Sequence, residues 1–155
     1  MADNLLVVRG LKQYYPVKGG LGKEPSYVKA VDNVDFEVRR GEVFGIVGES
    51  GCGKSTLGKS ICKLIEPTEG SIVLDGEEIS KYTPKQMRPI RKKVQMVFQD
   101  PYASLNPRMS VRDIVAEPLI IHGLTKTREE TDKKVVELLR RVGLDDYRSE
   151  EHTSE

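Results

Sequence analysis

One nine-residue segment restricts the possible folds of this chain more than any other. It consists of Gly48, Glu49, Ser50, Gly51, Cys52, Gly53, Lys54, Ser55 and Thr56. Two glycines five positions apart, followed by Lys and Ser, form the pattern of a phosphate-binding loop, the P-loop or Walker A motif. Glycine lets the backbone curl until successive N–H groups point at one anion. The segment therefore predicts a strand, a tight anion-binding loop and a helix in succession.

Apolar residues on both sides of this loop support that order. The run Val43–Val47 is apolar on both faces, which predicts a parallel strand covered by two layers. After the loop, apolar residues recur at helical spacing from Leu57 to Ile65, and Pro67 follows. This spacing predicts a helix that ends before the proline.

The remaining strands are predicted from short apolar runs. We expect strands at Leu5–Val8, Val34–Val38 and Val94–Phe98, and a hairpin over Ser71–Ile79. The hairpin turns at Asp75-Gly76, two residue types that tolerate positive φ. The order of elements predicts an α/β fold with its strands concentrated in the N-terminal part.

Two helices are predicted in the C-terminal part. Ser110 is placed to cap the first, and Pro118 is expected to end it. Thr127 and Glu130 have the spacing of a capping box for the second, and Gly143 suits its end.

Composition excludes several classes of protein. The 155 residues contain 25 Lys and Arg against 24 Asp and Glu, for a net charge of +1, which disfavours a dedicated nucleic-acid binder. The longest apolar runs are too short to cross a bilayer. Cys52 and Cys62 lack metal-ligand spacing and predict free thiols in a reducing compartment. We therefore expect a cytoplasmic domain.

Each polar residue type at the end of the loop suits a triphosphate. Lys54 supplies a mobile positive charge for the β and γ phosphates. Ser55 offers a hydroxyl to Mg²⁺, a hard cation that prefers oxygen ligands. Thr56 is placed to donate to the α phosphate, and the helix beginning near Gly53 directs its positive end at the same group. These residues predict ATP and Mg²⁺ as ligands.

Four stretches resemble the ATP-binding subunits of ATP-binding-cassette (ABC) transporters, in particular those of oligopeptide and dipeptide importers. They are Leu11–Pro16, Gly48–Thr56, Pro67–Gly70 and Val97–Arg108. The resemblance spans residues 5–147 and implies an incomplete α/β P-loop NTPase fold of the ABC type. Such a fold has an N-terminal β subdomain, a P-loop core and, over residues 100–145, the start of a helical subdomain.

The resemblance implies functional roles for two residues outside the loop. Tyr15 would stack on adenine, with Tyr14 as the alternative. Gln99 would be the Q-loop glutamine, which reaches Mg²⁺ and the attacking water. Lys54 and Gln99 would then act in ATP hydrolysis, and Ser55 and Gln99 would be the Mg²⁺ ligands.

The resemblance also implies partners and a location. Partners would be a second, homologous ATP-binding subunit in a head-to-tail dimer, transmembrane permease subunits and, through them, an extracytoplasmic peptide-binding protein, with no nucleic acid. The location would be cytoplasmic, on the inner face of the cell membrane. Two alternatives remain open: a related ATPase for nickel or glutathione import or a phosphonate-breakdown complex, and a naturally short nucleotide-binding module.

The chain also departs from the family. The family's Ser-Gly-Gly-Gln signature, second acidic strand with its catalytic Glu, and switch His have no counterpart in this sequence. We therefore expect the chain alone to bind nucleotide without hydrolysing it. Residues 148–155 contain no apolar side chain and equal the in-frame translation of a common sequencing-adapter sequence, so we expect this tail to be non-native.

Overall fold

The computed structural model describes residues 3–17, 26–100 and 104–144. The chain divides into two compact units, Met1–Met96 and Val97–Glu155. The tail 148–155, which we expected to be non-native, lies outside the described residues. No helix in the described ranges is both long and apolar enough to cross a membrane.

The first unit is built on an antiparallel sheet of four described strands. They are β1 (Asn4–Val17), β2 (Ser26–Arg39), β3 (Glu69–Leu74) and β4 (Glu77–Glu78), in the spatial order β2-β1-β3-β4. The predicted strand in β2 and the β3–β4 hairpin are confirmed, and the turn residues Asp75 and Gly76 have φ of 54° and 79°.

Strand β1 is much longer than the predicted Leu5–Val8. Gly10, with φ of 54°, lies where the pairing register shifts between Val8 and Leu11. The shift changes which residues face the core, so the apolar alternation breaks after Val8 although the strand continues. Backbone pairing with β2 keeps β1 extended to Val17, and β3 pairs with β1 from Leu6 to Lys12.

One face of the sheet is covered by two helices, α1 (Lys54–Ile61) and α2 (Pro84–Ile90). The core between them is formed by Val8, Leu11, Val31, Leu57, Ile72, Leu74, Ile79, Met87 and Ile90. Burying one such aliphatic side chain contributes about 1.5–3 kcal/mol to stability. This packing fixes the start of α1, and with it the predicted loop, against the sheet.

Helix α1 ends at Ile61, four residues earlier than predicted. Lys63 has a left-handed φ of 52°, and its buried Nζ donates to the carbonyl of Ser80 at 2.5 Å. The guanidinium of Arg91 donates to the carbonyls of Cys62 and Lys63. These long-range contacts provide hydrogen-bond donors for carbonyl groups at the end of α1. The helix therefore ends before the helical spacing of apolar residues does.

Helix α2 was not predicted, although the sequence carries a signal for it. Thr83 and Gln86 form a complete capping box, and Pro84 occupies the first helical position. The Asp75 carboxylate of the preceding hairpin pairs with Lys93 after α2 and with Arg40 after β2. Lys93 first and Arg40 second hold the pKa of Asp75 below its ordinary value.

The predicted strands Val43–Val47 and Val94–Phe98 are wrong, because neither segment is a strand. A strand that is apolar on both faces needs hydrogen-bonded neighbours and two covering layers. Nothing in the described ranges pairs with them, and Val43, Val47 and Val97 are more than nine-tenths exposed.

The described part of the second unit contains two packed helices, α3 (Val111–Ile121) and α4 (Arg128–Arg141). Ala116, Leu119 and Val135 are buried between them. Ser110 caps α3 by accepting from the Asp113 N–H, as predicted. Pro118 does not end α3, because the packing of Leu119 carries the helix three residues beyond it.

The start of α4 confirms half of the predicted capping box. The Thr127 hydroxyl accepts from the Glu130 N–H at 3.2 Å. The Glu130 carboxylate accepts from the Lys126 N–H at 2.8 Å instead of from Thr127. Gly143, with φ of 75°, follows the end of the helix as predicted.

Candidate functional site

The predicted phosphate-binding loop is closed by its own lysine. The Lys54 Nζ donates to the carbonyl oxygens of Gly48 at 2.7 Å and Glu49 at 2.6 Å. The Cys52 N–H donates to the Glu49 carbonyl at 3.3 Å. The ammonium therefore lies inside the curve of the loop, where a competing anion would meet it.

Two glycines of the loop are required by close contacts as well as by backbone curvature. A Cβ on Gly53, which has φ of 97°, would lie 2.0 Å from the Ala30 carbonyl oxygen of β2. A Cβ on Gly48 would lie 2.7 Å from the Cys52 sulfur. Gly51 has φ of 82° but open space around it. The loop thus rests directly on β2, which the motif alone does not predict.

Helix α1 starts inside the loop and directs its N-terminus at the same place. Gly53 is the N-cap and supplies no capping side chain, and the first turn carries no acidic residue. The first N–H groups of a helix have no intrahelical acceptor and carry partial positive charge. Together with Lys54, they form a donor-rich, positively charged end that suits a phosphate group.

Two hydroxyl side chains follow Lys54 in the chain. Ser55 is exposed and Thr56 half-buried in the first turn of α1. No group of three or more His, Cys, Asp or Glu residues in the described ranges could hold a metal ion. A hydroxyl at this position would suit Mg²⁺ that is carried mainly by phosphate oxygens and water, and the role of Ser55 as a ligand stays a prediction.

Gln99, the other predicted Mg²⁺ ligand, lies in the second unit. Its side chain is exposed. Its role in hydrolysis stays a prediction.

The segment before the loop packs on β2 with one face only. The rings of Phe44 and Phe36 stack with centroids 5.0 Å apart and planes 7° apart. Phe44 and Ile46 are a little over two-fifths exposed, whereas Val43 and Val47 are almost fully exposed. A cavity of about 210 Å³ remains beside the loop, with Val31, Cys52, Lys54 and Leu57 among its lining residues.

Tyr14 is already engaged on the face of the sheet away from α1. Its hydroxyl donates to the Asp32 carboxylate, and the Lys29 Nζ lies 5.2 Å from its ring centroid. The hydrogen bond to Asp32 raises the pKa of Tyr14. This ring is a poor candidate for stacking on a base, because a ligand would have to displace these contacts.

Tyr15 lies on the opposite face and is better placed. Side chains alternate along a strand, so Tyr15 shares the face of the buried Leu11 and Gln13, against which α1 packs. It pairs with Val28, two residues before Ala30, which corresponds to roughly 7 Å along the strand. Tyr15 as a whole residue is 40% exposed. Among the described residues, Tyr15 thus combines an accessible ring with proximity to the loop.

Comparison with known proteins gives a consistent result. A family model described as "ABC transporter" matches residues 31–155. The chain is 49% identical over 144 residues to the oligopeptide transport ATP-binding protein AppF of Bacillus subtilis, covering 92% of this chain and 44% of that protein. It is 45% identical over 142 residues to the di/tripeptide transport ATP-binding protein DppF of Pseudomonas aeruginosa, covering 92% and 44%.

Solved structures show the same likeness. The dimeric post-hydrolysis state of the ATP-binding cassette MJ0796, bound to ADP and Pi, matches with a TM-score of 0.72 and 27% identity, covering 89% of this chain and 57% of that one. CbiO1 of Clostridium perfringens, part of the complex cbiONQ, matches with a TM-score of 0.66 and 28% identity, covering 93% and 52%. This chain spans less than half the length of the curated relatives named above.

Proposed function

Because the chain belongs to the ABC transporter family, we propose that it is the ATP-binding part of a subunit that powers the import of oligopeptides or dipeptides. The observation that carries the proposal is the Lys54 ammonium, held inside a glycine loop at the N-terminus of α1. The names of the relatives support the substrate class, since they refer to oligopeptide and di/tripeptide transport.

Nucleotide binding would exchange one set of hydrogen bonds for another. Lys54 would leave the Gly48 and Glu49 carbonyls and pair with the β and γ phosphates, a stronger charge-assisted contact. The N–H groups at the start of α1 would donate to the same phosphates, and Thr56 would donate to the α phosphate. Ser55 would bind Mg²⁺, which neutralises charge between the β and γ phosphates.

Adenine would be held by Tyr15, and Gln99 would respond to the γ phosphate. The partial exposure of Tyr15 and its pairing with Val28, close to the loop, support the first assignment. The second rests on the resemblance of the surrounding stretch to the Q-loop of the family. Gln99 would contribute an oxygen to Mg²⁺ and to the attacking water during hydrolysis.

This chain alone would bind nucleotide without turning it over. Phosphoryl transfer requires a positioned water and stabilisation of the developing charge. In the family these come from the signature, the catalytic Glu and the switch His, which this sequence does not contain. The expected partners are a second ATP-binding subunit, permease subunits and a peptide-binding protein, at the cytoplasmic face of the membrane.

A naturally short nucleotide-binding module is the alternative from a different class. The almost fully exposed Val43 and Val47, directly before the loop, argue against it. A self-sufficient module would cover such residues, because large exposed apolar patches favour association. A related ATPase for nickel or glutathione import, or for phosphonate breakdown, would have the same nucleotide site.

The proposal is tested in cells of the source organism. Replacing the chromosomal Lys54 codon by Ala should abolish the uptake of labelled di- and oligopeptides, while a Lys59→Ala allele, which changes an exposed lysine at the end of α1, should leave uptake normal. Normal peptide uptake with impaired nickel or glutathione uptake would instead assign the subunit to one of those importers.

A further inference from the structure

Helix α1 carries the predicted phosphate-binding residues in its first turn, and it is short. Its eight residues span about 12 Å at 1.5 Å per residue. A helix of this length is at best marginally stable by itself in water, so tertiary contacts determine its position. Packing fixes its first half, where Gly53 lies against Ala30 and Leu57 belongs to the core. The carbonyl groups at its C-terminal end need partners from elsewhere in the chain.

Arg91 supplies hydrogen-bond donors at that end. Helix α2 ends at Ile90, and the partly buried Arg91 follows it directly. The guanidinium of Arg91 donates to the carbonyl of Cys62 and, at 2.8 Å, to the carbonyl of Lys63, the two residues that follow α1. A planar guanidinium can serve two acceptors in a fixed geometry, and its charge suits the negative end of a helix dipole. Arg91 therefore fastens the end of α1 to the end of α2.

We propose that Arg91 is a positioning residue for the phosphate site, although it does not belong to the loop. It holds the C-terminal end of α1, and the helix transmits that position to Lys54, Ser55 and Thr56 in its first turn. The inference rests on the proposed function, because it concerns the affinity of the same site for phosphate. A residue that acts on a site without touching the ligand typically changes the affinity about two- to thirtyfold.

Arg91 also stabilises the fold, so its effect on stability has to be separated from its effect on position. Unfolding lowers the apparent affinity only in proportion to the fraction of the chain that is folded. If Arg91 mattered for stability alone, a variant that is fully folded in the assay would bind with wild-type affinity. Weaker binding by a fully folded variant requires a change at the loop itself.

The test is calorimetric titration with Mg-ATP and with inorganic tripolyphosphate, which lacks the base and therefore reports on the phosphate site alone. Arg91→Met keeps the aliphatic part of the side chain and removes both donors. It should bind both ligands about two- to thirtyfold more weakly than the wild type. Arg91→Lys, which retains a cationic donor at this position, should recover part of the lost affinity. Urea unfolding establishes that each variant is folded under the conditions of the titration.

Cys62 gives a second readout, because its carbonyl is one of the two that Arg91 holds. Burial raises the pKa of the Cys62 thiol, and the charge of Arg91 opposes that rise. If the turn stayed in place in Arg91→Met, the thiol pKa would rise further and maleimide labelling of Cys62 would slow. Release of the turn exposes Cys62 instead, so we expect faster labelling in Arg91→Met. A labelling rate at or below that of the wild type would contradict the proposal.

Arg40→Met is the matched control for both readouts. Arg40 pairs with Asp3 and Asp75, neither of which belongs to α1 or to the loop, so this variant should bind both ligands like the wild type. Equal affinity of Arg91→Met and the wild type, or equal loss in Arg91→Met and Arg40→Met, would overturn the proposal. So would weaker binding of Mg-ATP with unchanged binding of tripolyphosphate. If the wild-type chain binds neither ligand, the proposed function fails together with this inference.

Discussion

Replacing Gly53 by Ala tests whether the phosphate-binding loop rests on β2. Gly53 has φ of 97°, where an L side chain costs about 1–2 kcal/mol. Its new Cβ would also lie 2.0 Å from the Ala30 carbonyl oxygen, so either β2 or the loop must move. Forced overpacking of this kind costs about 1–3 kcal/mol. Together, the two effects predict a loss of about 2–5 kcal/mol in the free energy of unfolding.

Gly51→Ala is the matched control, because it places a side chain at positive φ without creating a close contact. Gly51 has φ of 82°, and no atom lies within 4 Å of the position of its Cβ. It should lose only about 1–2 kcal/mol. Urea unfolding of both variants gives the difference between their free energies of unfolding directly, provided that the m-values are unchanged. Equal destabilisation would refute the contact between the loop and β2.

Three further predictions follow from the same structure. Cys52 is exposed, whereas burial raises the pKa of the Cys62 thiol. A short maleimide pulse should therefore label Cys52 first, and Mg-ATP should slow the labelling of Cys52. Peptide mapping that shows no slowing by Mg-ATP would contradict this prediction. The cations paired with Asp75 lower its pKa, so its contribution to stability is full above its ordinary pKa and disappears as the pH falls through the lowered value. In Asp75→Asn, the free energy of unfolding should therefore fall less steeply on the acid side of its pH profile. An unchanged profile would contradict this pairing. Tyr15→Ala should weaken binding of Mg-ATP about ten- to a hundredfold, by analogy with base stacking. Tyr14→Ala should bind Mg-ATP like the wild type. The reverse result in an equilibrium titration would assign stacking to Tyr14.

The features that were predicted from sequence are those that local chemistry decides. The glycine and lysine pattern of the loop, the Asp75-Gly76 turn and the Ser110 cap each depend on residues close together in the chain. Their backbone conformation follows from which residues tolerate positive φ or supply a capping oxygen. These features can therefore be predicted without knowledge of the tertiary contacts.

The failures come from interactions between distant parts of the chain. The segment Val43–Val47 has the composition of a buried strand, but a strand also needs partners, and the described residues provide none. Helix α1 stops early because Arg91, far along the chain, donates to the carbonyls of Cys62 and Lys63, which directly follow the helix. Three register shifts relative to β2 lie between Val8 and Tyr14, so the position of Tyr15 depends on pairing with a distant strand.

The most direct test of the nucleotide site is equilibrium titration of the chain with a fluorescent ATP analogue and Mg²⁺. Wild-type chain should bind, and Lys54→Ala should bind about ten- to a hundredfold more weakly, because a charge-assisted hydrogen bond contributes about 1.5–3 kcal/mol. Lys59→Ala, which alters an exposed lysine in the last turn of the same helix, should bind like the wild type. Equal affinity of the Lys54→Ala variant and the wild type would contradict the assignment of the loop as the phosphate-binding site.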